Sequence, residues 1–274
     1  MKKIDPRIYQ ITILSGLLVY GVIELDFEVN LIRSLIILSS TLATQYIFTK
    51  TLRLDKFDPR SPFISGLSLC LLLRSDSILL IALCAVITIS SKFIFRLQGK
   101  HIFNPTNIGI VIMLLLFDKT WISPGQWGST AFMGFLIACI GVLVVNRASR
   151  SDVTYAFMFF YTALIFGRAI WLGDSLLIPF HQIQNGALLI FIFFMISDPK
   201  TTPDTRIGRI LFALIVSSVA YYFQFVLFKT NSLFYALTCS SLLVPVIDMY
   251  LKGKKYEWNS VQKIQLIKPK EALT

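Results

Sequence analysis

Charge is scarce in this sequence: Asp, Glu, Lys and Arg make up 15% of its 274 residues, against roughly a quarter in soluble domains. Most of the chain is therefore not built for water. Cysteine is sparse too. Cys70, Cys84, Cys139 and Cys239 each stand singly in apolar segments without CxxC spacing, which indicates neither a disulfide framework nor a zinc site. The two histidines, His101 and His181, fall on opposite faces of the topology derived below, which argues against a haem or metal held between them. GxSxG, HExxH, P-loop and GxGxxG arrangements are all missing, so hydrolase, NTPase and dinucleotide-fold readings have no motif behind them. No catalytic residues and no metal ligands are expected.

What the chain does have is oil, with 55% hydrophobic residues and a mean hydropathy of +0.70. The apolar residues come in blocks, such as residues 8–23 and 129–145, rather than in the single stripe of a helix facing water. A membrane barrel would need short alternating segments, whereas residues 108–117 are apolar on every side. The expected fold is an all-α membrane protein embedded in the lipid bilayer. Residues 1–10 are polar and include Pro6, and no small-residue cleavage site follows, so the first block reads as a retained span.

Ten membrane or half-membrane segments are expected, beginning near Ile8, Leu31, Pro62, Ser77, Asn104, Ser129, Asp152, Ile183, Gly208 and Ser232. The net charge of +11 gathers in alternate short loops beside them. That pattern is the signature of orientation rather than of a nucleic-acid partner. One loop set holds Arg7, Lys50, Arg60, Lys92, Arg96, Lys100, Arg150, Lys200 and the tail lysines, while the other holds only Arg74, Lys119 and Lys229. Both termini are accordingly expected in the cytoplasm, with the chain crossing the membrane many times.

The third and eighth segments are short for a span of about 20 residues, and each lies third in a run of five. The third follows the Pro-containing FDPRSP, and the eighth runs into DPKTTP. After each comes a long apolar span, then a segment opening on a polar cluster, FNPTN in one case and KTNS in the other. Because five is odd, a duplicated second half would insert upside down, and short helices at matching positions point to the central site of such folds. The expected organisation is a 5+5 inverted repeat, with residues 1–120 and 121–252 as the two halves and 253–274 as a basic tail.

Three Pro-containing clusters, FNPTN, WISPGQWG and SDPKTTPDTRIGR, can hold backbone carbonyls and side-chain amides or hydroxyls toward a polar ligand. Each also has a simpler use: Asn104 can cap the helix that starts at Pro105, the two Trp can anchor at the lipid interface, and Arg206 and Arg209 can either clamp a phosphate or pair with Asp198 or Asp204. No acid falls at an expected membrane centre, which disfavours a pump built on a carboxylate. Arg168, near a helix end, can snorkel or pair with Asp174.

FNPTN entering an apolar helix, together with MISDPKTTPDTRIGR at residues 195–209, resembles the family of membrane proteins that includes RnfD of the Rnf electron-transport complexes and NqrB of the sodium-pumping NADH:quinone oxidoreductase. The chain is similar to a compact, RnfD-like branch. The resemblance implies a ten-helix inverted-repeat bundle related to urea and ammonium transporters. It also implies FMN carried on a threonine of an SGAT-like sequence, or bound riboflavin. The nearest sequence here is WGSTAF, so FMN attached to Thr130 is not expected.

The first functional expectation is thus a subunit of a membrane redox complex, without catalytic residues of its own, that holds FMN, riboflavin or a quinone noncovalently. Its candidate cofactor-binding residues are Asn104, Thr106, Asn107, Asn185, Thr201, Thr202, Arg206 and Arg209. The second is a cofactor-free transporter or channel for a small solute, built on the same inverted-repeat fold. A structural partner that anchors other subunits is a third.

Overall fold

The computed structural model describes residues 5–23, 30–54, 56–97, 99–123, 142, 146 and 150–256. Apart from residue 142, the expected segment at 129–145, with the Thr130 position and most of WISPGQWG, lies outside that set, as does the tail beyond residue 256. Among the described residues, four helices are long and apolar enough to cross a membrane: α1 (Pro6–Ile23), α2 (Leu31–Thr51), α6 (Ser151–Leu172) and α9 (Arg206–Phe225). At 1.5 Å per residue they span about 27 to 33 Å, the thickness of a hydrocarbon core. Between α2 and α6 come α3 (Arg60–Leu72), α4 (Ile78–Ile94) and α5 (Pro105–Leu116). After α6, the seven-residue α7 (Leu177–Ile183) meets α8 (Gly186–Ile190) and its π-helical continuation Phe191–Met195 at a bend of 51°. Likewise α10 (Ser232–Ser241) meets α11 (Val244–Tyr250) at 44°. Counting each bent pair as one span raises the number of candidate spans from four to six.

Every described residue block expected to be a membrane segment is helical, and the two expected short segments are short. Their burial explains why. Residues 65–72 of α3 and 186–196 of α8 and the π turn are buried without exception, so these helices sit inside a jacket of others and need no lipid-facing side. The long helices behave oppositely. Phe159 and Trp171 of α6 stand open, which is costly in water and costs nothing against acyl chains.

Helix α2 packs on α3 and α4, and α4 on α5; α6 packs on α9, and α9 on α10; α5 and α10 touch across the middle. Small residues set the closest approach. A Cβ on Gly109 of α5 would overlap Oγ1 of Thr88 and stand 3.2 Å from its Cα, so only glycine lets α4 and α5 lie this near. Helix α6 ends at Gly173, whose φ of +73° lets Asp174 N donate back to Ala169 O at 2.9 Å.

Two short antiparallel ladders interrupt the all-α expectation. The strand β1 (Leu73–Ser75), after α3, pairs with β4 (Thr120–Ile122), after α5. The ladder ties the far ends of those two helices together. The other, β2 (Arg96–Leu97) with β3 (Lys100–His101), is a hairpin between α4 and α5 that turns at Gly99, φ +83°.

Candidate functional site: two cavities on opposite ends of the short helices

Asn104 shows how the site is assembled. Its side chain caps α5 by accepting from Asn107 N at 3.0 Å, and its amide donates to Asp198 Oδ2 at 3.2 Å. One residue therefore starts α5 and fastens it to the chain leaving the π turn. Asp198 also accepts from Lys200 N at 3.0 Å. Burial pushes its carboxyl above the usual carboxylate range, against the pull of those hydrogen bonds and of the Lys200 and Arg150 charges.

Beside this junction lies a cavity of about 260 Å³. Its walls come from the starts of α1, α3 and α5, the end of α4 and the π turn, and include Gln45, Ser65, Lys92, Thr106, Phe193 and Met195. This is the end of the bundle that carries the basic clusters, termed inner below. Three polar groups in it lack the partners burial normally demands. Gln45 Oε1 is buried without a hydrogen bond. Lys92, 6% exposed, donates to Ser61 Oγ at 3.1 Å and has no carboxylate within ion-pairing distance among the described residues. His101 Nδ1 is also unpartnered; burial, then the charges of Lys92, Arg96 and Lys200, push its pKa down to about 3, so the imidazole is neutral at pH 7.

A second cavity, of about 360 Å³, opens at the other ends of α5 and α8. Trp121, Tyr161, Asn185, Gln224 and Asn231 line it, and the Tyr161 hydroxyl donates to Gln224 Oε1 at 2.7 Å. Between the two cavities sits Asn107. Its amide donates to Phe234 O at 3.1 Å and to Thr238 Oγ1 at 2.7 Å on α10, while its Oδ1 is buried and unpartnered.

The eight candidate residues are thus distributed rather than gathered. Asn104 and Thr106 line the inner cavity and Asn185 the outer one; Asn107 bridges α5 and α10. Thr201 and Thr202 are buried in the loop after the π turn, each hydroxyl donating to Asp198 O, at 3.3 and 3.1 Å. Arg206 is exposed. Arg209 pairs with neither acid side chain expected for it. It binds Asp152 at the start of α6, with Nη2 at 2.5 Å from Oδ2, and donates to the backbone carbonyl of Asp204 at 2.8 Å. Arg168 does reach Asp174, at 3.4 Å.

Sequence reasoning missed Gln45, Lys92 and Asp198. Lys92 counted as a loop charge although it belongs to α4, and Asp198 counted as an inner-loop acid although it lines the inner cavity. Several other inner charges are paired with one another. Arg7 and Arg60 bind both Asp5 and Asp58 at 2.7 to 2.8 Å, and Lys100 bridges Asp204 and Asp248 at 2.9 and 2.7 Å.

The half of the chain that builds α6 to α11 matches a family model. The NQR2, RnfD, RnfE family aligns with residues 116–257, slightly more than half of the chain. The chain belongs to this family. Individual members are distant relatives of this NQR2, RnfD, RnfE family protein. The D subunit of the ion-translocating oxidoreductase complex from Psychromonas ingrahamii is 31% identical over 142 residues, 52% of this chain and 41% of that one. Its counterpart from Erwinia tasmaniensis is 26% identical over 133 residues, 48% of this chain and 36% of that one. The matches span well under half the length of those relatives.

Proposed function

We propose that this family member is a membrane subunit of an Rnf-type ion-translocating oxidoreductase complex, and that it holds a flavin or a quinone noncovalently in the inner cavity. The observation that carries the reading is the pairing of Gln45 Oε1 and Lys92, a buried unsatisfied acceptor and a buried uncompensated donor, in one cavity walled by Ile64, Phe193 and Met195. A flat conjugated ring with an imide or carbonyl edge meets both needs: apolar walls take its faces, while Gln45 accepts from an N–H and Lys92 donates to a carbonyl. Asn104 and Thr106 would add polar contacts at the mouth of α5, and the π turn is the kind of helix irregularity that accompanies functional sites. Bound there, the cofactor would supply the redox chemistry. The protein's own part is to exclude water, orient the ring and offset its charge.

The 5+5 inverted organisation, with halves at 1–120 and 121–252, belongs to the same proposal. In each half the second long helix packs on the fourth and the fourth on the fifth, and the third is short and buried. The two cavities, at opposite ends of α5 and α8, are what equivalent elements inserted upside down would form. The cytoplasmic position of both termini follows from the positive-inside rule.

Extraction of the full chain into mild detergent, followed by acid release, tests the cofactor. A flavin or quinone spectrum in the supernatant at near-equimolar amount is expected; a colourless protein and supernatant, free of both, would remove the reading. The two facing cavities also favour the second reading, a cofactor-free solute path. Solute-specific flux in liposomes that is indifferent to redox agents would establish it instead.

A further inference from the structure

We propose that the inner cavity is an anion site, in which the Lys92 ammonium receives the phosphate or carboxylate group of a ligand. The inference rests on the cavity being a binding site and requires no particular cofactor. A charged side chain near the end of a transmembrane helix ordinarily turns outward to water or lipid headgroups. Lys92 turns inward instead, and is nine-tenths buried. The acids that share the cavity are already engaged. Asp58 is bound by Arg7 and Arg60, and Asp198 is bound by Asn104 and the Lys200 backbone, with burial favouring its neutral form. Lys200 lines the same cavity with its ammonium donating to Tyr256 O at 2.9 Å, and Arg7 lines it while paired with Asp5 and Asp58.

The hydrogen-bonding groups are complementary to an oxyanion. Lys92 has three N–H bonds and spends one on Ser61. Ser65 and Ser68 also line the cavity from the middle of α3, and bring hydroxyl donors that rotate to suit a ligand. The buried Gln45 Oε1, an acceptor without a donor, fits the hydroxyl or N–H that a protonated oxyanion or an organic acid offers beside its charge. An ammonium kept from water without a counterion is costly, and a bound anion removes that cost.

The test uses the full chain in lipid nanodiscs, with inorganic phosphate and acetate as probes and chloride as the ionic-strength control. Saturable binding of radiolabelled phosphate or acetate, not competed by equal chloride, is expected. Lys92→Met should weaken it by about tenfold or more, as loss of a charge-assisted hydrogen bond does, while Lys92→Arg should keep it within a few-fold. Lys252→Gln, on the exposed tail side, should leave it unchanged. Absence of binding by the wild type, or equal losses from Lys92→Met and Lys252→Gln, would overturn the assignment. Should Lys92→Met fail to fold, lysine acetylation of the wild type takes its place. Phosphate should slow modification of Lys92 and not of Lys252, and equal rates with and without phosphate would overturn the proposal. Flavin release without anion binding would sink this inference alone, and anion binding without flavin or quinone would sink the cofactor reading alone.

Discussion

Two buried residues carry opposite lessons about what a membrane interior tolerates. Gly109 is a site where the bundle has no room: its missing side chain lets Thr88 approach, and Gly109→Ala would drive a methyl into that threonine. Overpacking of this kind costs about 1 to 3 kcal/mol. A lowered unfolding temperature in detergent is expected, partly recovered in Gly109→Ala/Thr88→Ala because the Thr88 Oγ1 clash is gone. An unchanged single variant would mean that the two helices separate freely. Asp198 is a site where a polar group is enclosed at the inner cavity. Its carboxyl is held above the ordinary range by burial, so the folded protein binds this proton more tightly than the unfolded chain does. That contribution is complete below the ordinary carboxylate pKa and is lost as pH rises through the raised one. Stability should therefore decline over that window, and Asp198→Asn should flatten the decline. A wild-type curve without that slope, or one rising across the window by an amount that Asp198→Asn removes, would contradict the burial assigned to this side chain.

At the scale of elements, the start of α5 does two jobs that substitutions can separate. Asn104→Ser preserves a capping oxygen and loses the amide's links to Asp198 and to Met195 O, for a cost of about 1 kcal/mol. Asn104→Asp also preserves the cap but faces one carboxyl with another, and should be worse whenever both are ionised. Unfolding curves at a pH above the raised range of Asp198 rank the two; an aspartate variant as stable there as the serine one would show that α5 is not fastened to Asp198. This start was legible in the sequence because a cap is local: Asn, then Pro, then an apolar run. The short third and eighth segments were legible for the same reason, since their Pro-containing borders lie next to them in the chain. The π turn was not, because FIFFM has no feature that distinguishes it from ordinary apolar helix. Nor was the inward turn of Lys92. A lysine close to a helix end reads as a loop charge until the neighbouring α3, with Ser61, shows which way it faces. Arg209 was misjudged similarly, because its partner Asp152 lies 57 positions away while Asp204 lies close by in the chain.

For the whole molecule, the account comes down to geometry across a bilayer. Long helices with exposed apolar sides surround two short ones buried along residues 65–72 and 186–196, and a polar cavity lies at each end of the short pair. Asn107, joining α5 to α10, stands between them. The family match covers the second half of the chain and rests on that half's sequence; the first half contributes Gln45, Lys92 and the capped start of α5, so the inner cavity needs both. Under the two proposed readings this arrangement would serve either a cofactor that takes electrons from one side or a solute that passes between sides. Both uses require the cavities to face opposite compartments.

Side-specific labelling measures that directly. In a cysteine-free background reconstituted in sealed vesicles of known orientation, Ser65→Cys reports the inner cavity and Asn231→Cys the outer one. A small membrane-impermeant thiol reagent should reach Ser65→Cys only from the cytoplasmic side and Asn231→Cys only from the opposite side. Labelling of both positions from one side would contradict the account.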